Sequence, residues 1–317
     1  MNTLLSGDGS SVRTPQSGIF ALGTSSVSYL EFDLQPEAEP RVAAQLLADL
    51  RGPGGTTGGV NLVIGFRPEL WRTIAPGESP GGIAGFNQDL VGQDGYTMPA
   101  TQHDIYMSAS GHAYDTVFDM ARDAIAQLEG TARLVHETRG WTYKDSRDLT
   151  GFIDGTKNPP WTLAPSWALI PEDQPGAMGT VLLLQKWVHD ARAWEALPVI
   201  NQERVIGRTK LESVELSEDV TGPTSHVART TVQVNGMEHK IFRRNTPYGR
   251  VEEHGTMFVG YSKEQSLLQT MLERMAGIPD GIRDALTYFT KPLTGAYYFV
   301  PAIEAIAAYE TVQEEEN

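Results

Sequence analysis

The chain has 317 residues, 40% apolar and 21% charged, the balance of a soluble globular protein with room for about two domains. Its net charge of −15 repels phosphates at long range, which argues against nucleic acid and anionic membranes as partners, and no apolar run approaches the ~18 residues that span a bilayer. The absence of cysteine excludes disulfides, iron–sulfur clusters, zinc–thiolate sites, cysteine nucleophiles and thiolate- or thioether-held haem, so any iron must be held by His, carboxylate or Tyr.

Met1 to Asp8 has neither a basic nor an apolar signal region, and a cytoplasmic location is expected. Residues 1–25 read as a loose lead-in rich in Ser, Thr and Gly. Ser26 to Leu34 alternates apolar and polar residues, a strand pattern. Arg41 to Leu50 reads as an amphipathic helix with Val42, Leu46, Leu47 and Leu50 on one side. Gly52 to Gly59 lacks the Gly-Lys-Ser/Thr ending of a phosphate loop and is expected to be a flexible turn. Val60 to Phe66 and Asp104 to Ser110 are strands. Ala113 to Glu129 is a helix, with Val117, Met120, Ala121, Ile125 and Leu128 at helical spacing. Ala132 to Tyr143 is a fourth strand, placing Leu134, His136 and Thr138 together on one face. Strand–helix–strand repeated twice predicts an α+β, ferredoxin-like unit.

Past residue 150 the order resumes. Strands are predicted at Gly179 to His189, Gly255 to Tyr261 and Tyr297 to Val300, with helical segments at Ala191 to Leu197 and Ser266 to Met275, then a helical, acidic tail. The expected architecture is two ferredoxin-like α+β domains, 1–150 and 151–317, with antiparallel sheets and helices on their outer faces. No strong residue-level repeat accompanies that duplication.

Between the halves lies Gly151-Phe152-Ile153-Asp154-Gly155-Thr156-Lys157-Asn158-Pro159-Pro160. Gly155 directly after Asp154 and Gly151 three residues before it permit a sharp turn, and the double proline stops any helix or strand. A stiff loop presenting one carboxylate is expected, although an Asp-Gly pair by itself is usually a plain turn. None of the seven histidines forms a His-x-x-x-His pair, no Gly-x-Ser-x-Gly elbow occurs, and no Gly-x-Gly-x-x-Gly follows a strand. Multi-His zinc, serine-hydrolase and dinucleotide chemistry are therefore unsupported. What remains is Thr224 to Gly249, with His226 and then Arg243-Arg244-Asn245 ahead of Pro247.

Gly151 to Gly155 resembles the Gly-x-x-Asp-Gly signature of the dye-decolorizing peroxidases. Ser225-His226-Val227, Arg243 to Gly249, Glu203 to Lys210 and Phe289 to Gly295 are similar to further segments of that family, in the same order. The chain's compactness is similar to the bacterial type B branch. This resemblance implies one non-covalent haem b in the second domain, with His226 as axial ligand to the iron and Asp284 as the carboxylate behind it. It implies that Asp154, Arg243 and Asn245 meet hydrogen peroxide, with Phe258 packed on the haem face. Arg208 is expected at a haem propionate, and Lys157 and Asn158 are lesser candidates for that edge. The implied activity is peroxide reduction through a high-valent iron, with small aromatic reductants, dyes or phenols as one-electron donors. Self-association as a homo-oligomer is suggested by analogy alone. Rival readings are a haem-handling protein without turnover and a structural module that binds no cofactor.

Overall fold

The structure is a computed structural model describing residues 12–51, 56–57 and 59–311. Most of the Gly52 to Gly59 run and the final acidic residues lie outside this range, so the readings made of them rest on sequence alone.

Eight strands define the fold: β1 (Ser26–Leu34), β2 (Val60–Phe66), β3 (Ile105–Gly111), β4 (Ala132–Trp141), β5 (Thr180–His189), β6 (Thr246–Gly249), β7 (His254–Ser262) and β8 (Ala296–Val300). They pair antiparallel in the order β4-β1-β3-β2-β8-β5-β7-β6, and β6 returns to β4, so the sheet closes into a barrel. Each half of the chain supplies four strands in the order fourth–first–third–second. The halves meet at two narrow seams, Tyr248 opposite Gly140 and Phe299 opposite Phe66. At the first seam only glycine fits, because a Cβ on residue 140 would overlap the Thr246 side chain.

Alternation along the strands separates two cores. Val27, Tyr29, Tyr106, Leu182, Val259, Tyr261 and Tyr298 cluster together and fill the barrel. Leu30, Phe32, Leu62 and Ile64 point outward, where α1 (Pro40–Arg51) and α2 (Tyr114–Gln127) cover them. The second half offers the same outer face, Leu183, Gln185, Trp187 and His189 of β5 with Thr256 and Phe258 of β7. There the cover is α4 (Gln265–Met275), with the short α3 (His226–Thr230) nearby, and the space between is not filled.

Four local expectations are corrected. The lead-in is not loose from residue 16 onward, because Gln16 is buried and its amide bonds the backbone of Ile64 and Pro301. Helix α1 buries Ala43, Ala44, Leu47 and Ala48 while Val42 is exposed, since small residues let the helix sit close to the sheet. In β4 the pairing with β1 shifts beside Val135, a bulge that puts Leu134 with Phe32 outside the barrel and Thr138 with Tyr29 inside it. The helical segment after β5 ends at Glu195, and a second helix, Val199–Ile206, starts after Pro198.

Candidate active site

Between the outer face of the second half-sheet and α4 lies a cavity of about 1350 Å³, counting its open mouth. Leu183, Phe258, Met271, Leu272 and Met275 give it apolar walls, and Asp154, Arg208, His226, Arg243 and Asn245 also line it. Residues 154 and 243, far apart in the chain, are brought together here.

The Gly151–Gly155 loop is held by Arg147, whose guanidinium donates to the carbonyls of Gly151 (2.8 Å), Lys210 (2.7 Å) and Leu211 (3.0 Å). Gly155 has φ +76°, and its N–H turns back to donate to Asp154 Oδ1 at 2.7 Å. Asn245 Nδ2 donates to the same oxygen at 3.3 Å, while Asn245 Oδ1 accepts from the Val259 amide of β7. Arg243 sits on a two-residue strand paired to β7 opposite Gly260. Asn158 stands off this cavity and grips the Arg243 backbone, donating to its carbonyl (2.9 Å) and accepting from its N–H (3.0 Å). The Arg243 guanidinium has no hydrogen-bond or ion-pair partner among the described residues. The adjacent Arg244 is turned elsewhere, donating to the Gly18 carbonyl and the Thr24 hydroxyl.

His226 opens α3, whose first turn is capped by the Ser225 hydroxyl. Its Nδ1 lies 2.7 Å from Asp284 Oδ2, and Asp284 is 0% exposed with Oδ1 accepting the Leu286 amide. An Nδ1–H donated to that carboxylate leaves Nε2 as the nitrogen free to act as a ligand. At the polar edge Arg208 donates to the Ser213 carbonyl and to Glu215, while its Nε is buried without a partner among the described residues. Lys157 pairs with Glu215 at 3.0 Å and Glu238 at 3.4 Å.

Two cavity residues had no sequence signal. Asp148 is held up to about 6 by burial, with Asp154 adding to the rise and Thr150 opposing it. His189, on the outward face of β5, is lowered to about 4 by burial and then by His254. Both shifts come from desolvation, which depends on what other segments cover them.

Apolar walls, a charged rim and one braced imidazole suit a planar, apolar, doubly carboxylated ligand whose metal takes a nitrogen donor; they describe a haem protein. The family to which it belongs is shown by comparison. Models of the N-terminal and C-terminal regions of Dyp-type peroxidases match residues 16–142 and 145–305, and the chain belongs to the Dyp-type peroxidase family. A dye-decolorizing peroxidase of Rhodococcus erythropolis (strain PR4 / NBRC 100887) is 32% identical over 292 residues, 89% of this chain and 85% of that one. Another, from Mycolicibacterium paratuberculosis, is 36% identical over 74% of this chain and 68% of its own length. Among solved structures, DyPB from Rhodococcus jostii RHA1 superposes with a TM-score of 0.84 at 32% identity, covering 90% of this chain and 94% of that one. An arginine-to-leucine variant of that protein, in complex with heme, gives 0.86 at 32% identity over 94% and 99%.

Proposed function

We propose that this cavity holds one non-covalent haem b and that the protein, a haem peroxidase of the dye-decolorizing type, reduces hydrogen peroxide there at the expense of dyes, phenols or other one-electron donors. The observation that carries the reading is the His226–Asp284 pair, a buried carboxylate bracing an imidazole on the wall of an otherwise largely apolar cavity. The residues present fit the group. Nε2 of His226 is free to take the iron, Phe258 and the α4 methionines offer apolar surface to the ring, and Arg208 keeps a buried Nε donor for a propionate. Lys157 adds positive charge at that edge. When bound, the haem supplies the iron at which the O–O bond is broken and the oxidising equivalents are held until donors arrive.

The chain's own groups manage protons and charge. Asp154 accepts a proton from incoming peroxide at its carboxylate and returns it to the departing oxygen. Arg243, permanently cationic and its guanidinium unpartnered among the described residues, stabilises the negative charge that develops on that oxygen. Asn245 holds the Asp154 carboxylate in place, and Asn158 sets the backbone from which Arg243 projects. Arg243 contributes more to the rate than Asp154 in this proposal, because a fixed cation acts throughout the charge build-up.

The same proposal reads the barrel as two ferredoxin-like domains, 1–150 and 151–317. It is supported by the shared fourth–first–third–second strand order and by helical crossovers in both halves, α1 and α2 in the first and α3 and α4 in the second. The likeness to DyPB supports the type B branch. Self-association and a cytoplasmic location belong to the proposal too, the latter resting on the absence of cysteine.

The test is an absorption spectrum of the haem-loaded protein before and after stoichiometric peroxide. A new oxidised spectrum that a phenol discharges is expected; an unaltered spectrum would reduce the protein to a haem carrier. Arg243→Leu is expected to keep haem while lowering the bimolecular rate with peroxide by about a hundredfold or more, the scale of losing one charge-stabilising donor. An unchanged rate would remove Arg243 from the mechanism.

A further inference from the structure

A second concavity, about 1100 Å³ and open to solvent, shares two residues with the haem cavity, His189 and Thr290. These side chains are bonded to each other, His189 Nδ1 to Thr290 Oγ1 at 2.9 Å, and His189 Nε2 reaches Thr256 Oγ1 at 3.1 Å. The partition between the two spaces is therefore one residue thick at this point. Outside it the groove is lined by Tyr96, Arg283, Tyr288, Phe289 and Lys291.

The Arg283 guanidinium lies between two phenol rings, 4.1 Å from the Tyr96 centroid and 4.2 Å from that of Tyr288. Its Nε and one Nη donate to Thr287, and among the described residues neither Arg283 nor Lys291 has a carboxylate partner. The one carboxylate in the lining, Asp190, caps the following helix by accepting from the Ala193 amide. Two cations without a carboxylate partner among the described residues, in a chain of net charge −15, make a local site where an anion is favoured. The Tyr96 hydroxyl is buried without a partner among the described residues, and Tyr288 is 61% exposed, its ring available for stacking.

We propose that this groove is a donor site for anionic aromatics, phenols or naphthols bearing a sulfonate or carboxylate. The donor ring stacks on Tyr288, and its anionic group meets Arg283 and Lys291. Binding stands on the groove alone, whereas the destination of the electron rests on the peroxidase reading. Each donor gives up one electron, which crosses the His189–Thr290 partition, and one proton, which leaves to the water of the open groove. Two donors and one hydrogen peroxide thereby yield two one-electron-oxidised donors and two waters.

The experiment measures binding of a naphthol monosulfonate, and of plain naphthol, to the haem-loaded protein by equilibrium dialysis, followed by steady-state oxidation of both. Lys291→Glu is expected to raise the Kd of the sulfonate about fivefold, the scale of one exposed charge contact, and to leave naphthol unmoved. Tyr288→Ala is expected to weaken both probes by a similar factor through loss of the stacking face. In each case kcat/KM for the sulfonate falls with its affinity while kcat holds. Sulfonate affinity untouched by both substitutions, or an equal loss for sulfonate and naphthol in Lys291→Glu, overturns the groove. Normal binding that responds to the substitutions in a wild-type protein without peroxide turnover supports the groove and overturns the peroxidase reading.

Discussion

Asp284 has no exposed surface and commits one carboxylate oxygen to His226 Nδ1 and the other to the Leu286 amide. The family resemblance singles out Asp284 within Asp280 to Asp284, although by composition the residue suits an exposed helix, and its burial follows from tertiary packing. Asp284→Asn keeps the shape and removes the charge behind the imidazole. Haem affinity is expected to fall roughly ten- to a hundredfold, as second partners of metal-bound histidine do when replaced. Transfer of haem to a scavenger protein measures this, and wild-type retention would discount Asp284. Asp148 makes a separate, pH-dependent contribution. Its carboxyl, held up to about 6, keeps a proton that the unfolded chain releases near 3.8. Its stabilising contribution is complete below 3.8 and is lost as pH rises through about 6. His189, lowered from 6.5 to about 4, runs the other way: its contribution is present above 6.5 and lost as pH falls through about 4. Asp148→Asn is expected to stabilise the protein near neutral pH by up to about 3 kcal/mol, the free energy of a two-unit displacement, and to change little below 3.8. Urea unfolding at the two pH values decides it, and equal effects at both would show that Asp148 is not neutralised in the fold.

At the scale of elements, the seam between β4 and β6 controls the site, because Thr246 is the neighbour of Asn245. Gly140 allows the two strands to approach, and Tyr29 inside the barrel hydrogen-bonds Thr246 at 3.0 Å. Gly140→Ala drives a methyl into the Thr246 side chain and is expected to cost about 1–3 kcal/mol, typical of overpacking. A thermal midpoint equal to that of wild type would show that the seam yields freely. Strands β1, β2, β3, β5 and β7 were legible because each is a long run rich in apolar residues, most of them buried. The bulge in β4 was not, since nothing in Leu134-Val135-His136 marks where the pairing slips. Strand β6 was also hidden, its four residues being too few for a period and containing Pro247.

For the whole molecule, closure of the barrel makes the halves interdependent. Tyr29 and Tyr106 from one half share an interior with Tyr261 and Tyr298 from the other. Cutting the chain between residues 142 and 145, where the two family regions meet, would expose that interior on both pieces. The separated pieces are expected to aggregate or to reassociate when mixed, as size-exclusion chromatography would report. A first half that remains a folded monomer would contradict this dependence.

Amino-acid order by itself determined most of the long strands and helices of each half, the excluded cofactor chemistries and the segments that identify the family. Those follow from local patterns: alternation, helical spacing, missing cysteine, and short motifs read residue by residue. Tertiary structure alone decided where Arg244 turns, that Asn158 grips a backbone, and that Asp148 and His189 are desolvated. It also decided that one half-barrel is packed solid on its outer face while the other leaves room for a cofactor. The physical reason is that burial, charge pairing and empty volume belong to surfaces brought together from distant parts of the chain, and no single stretch carries them.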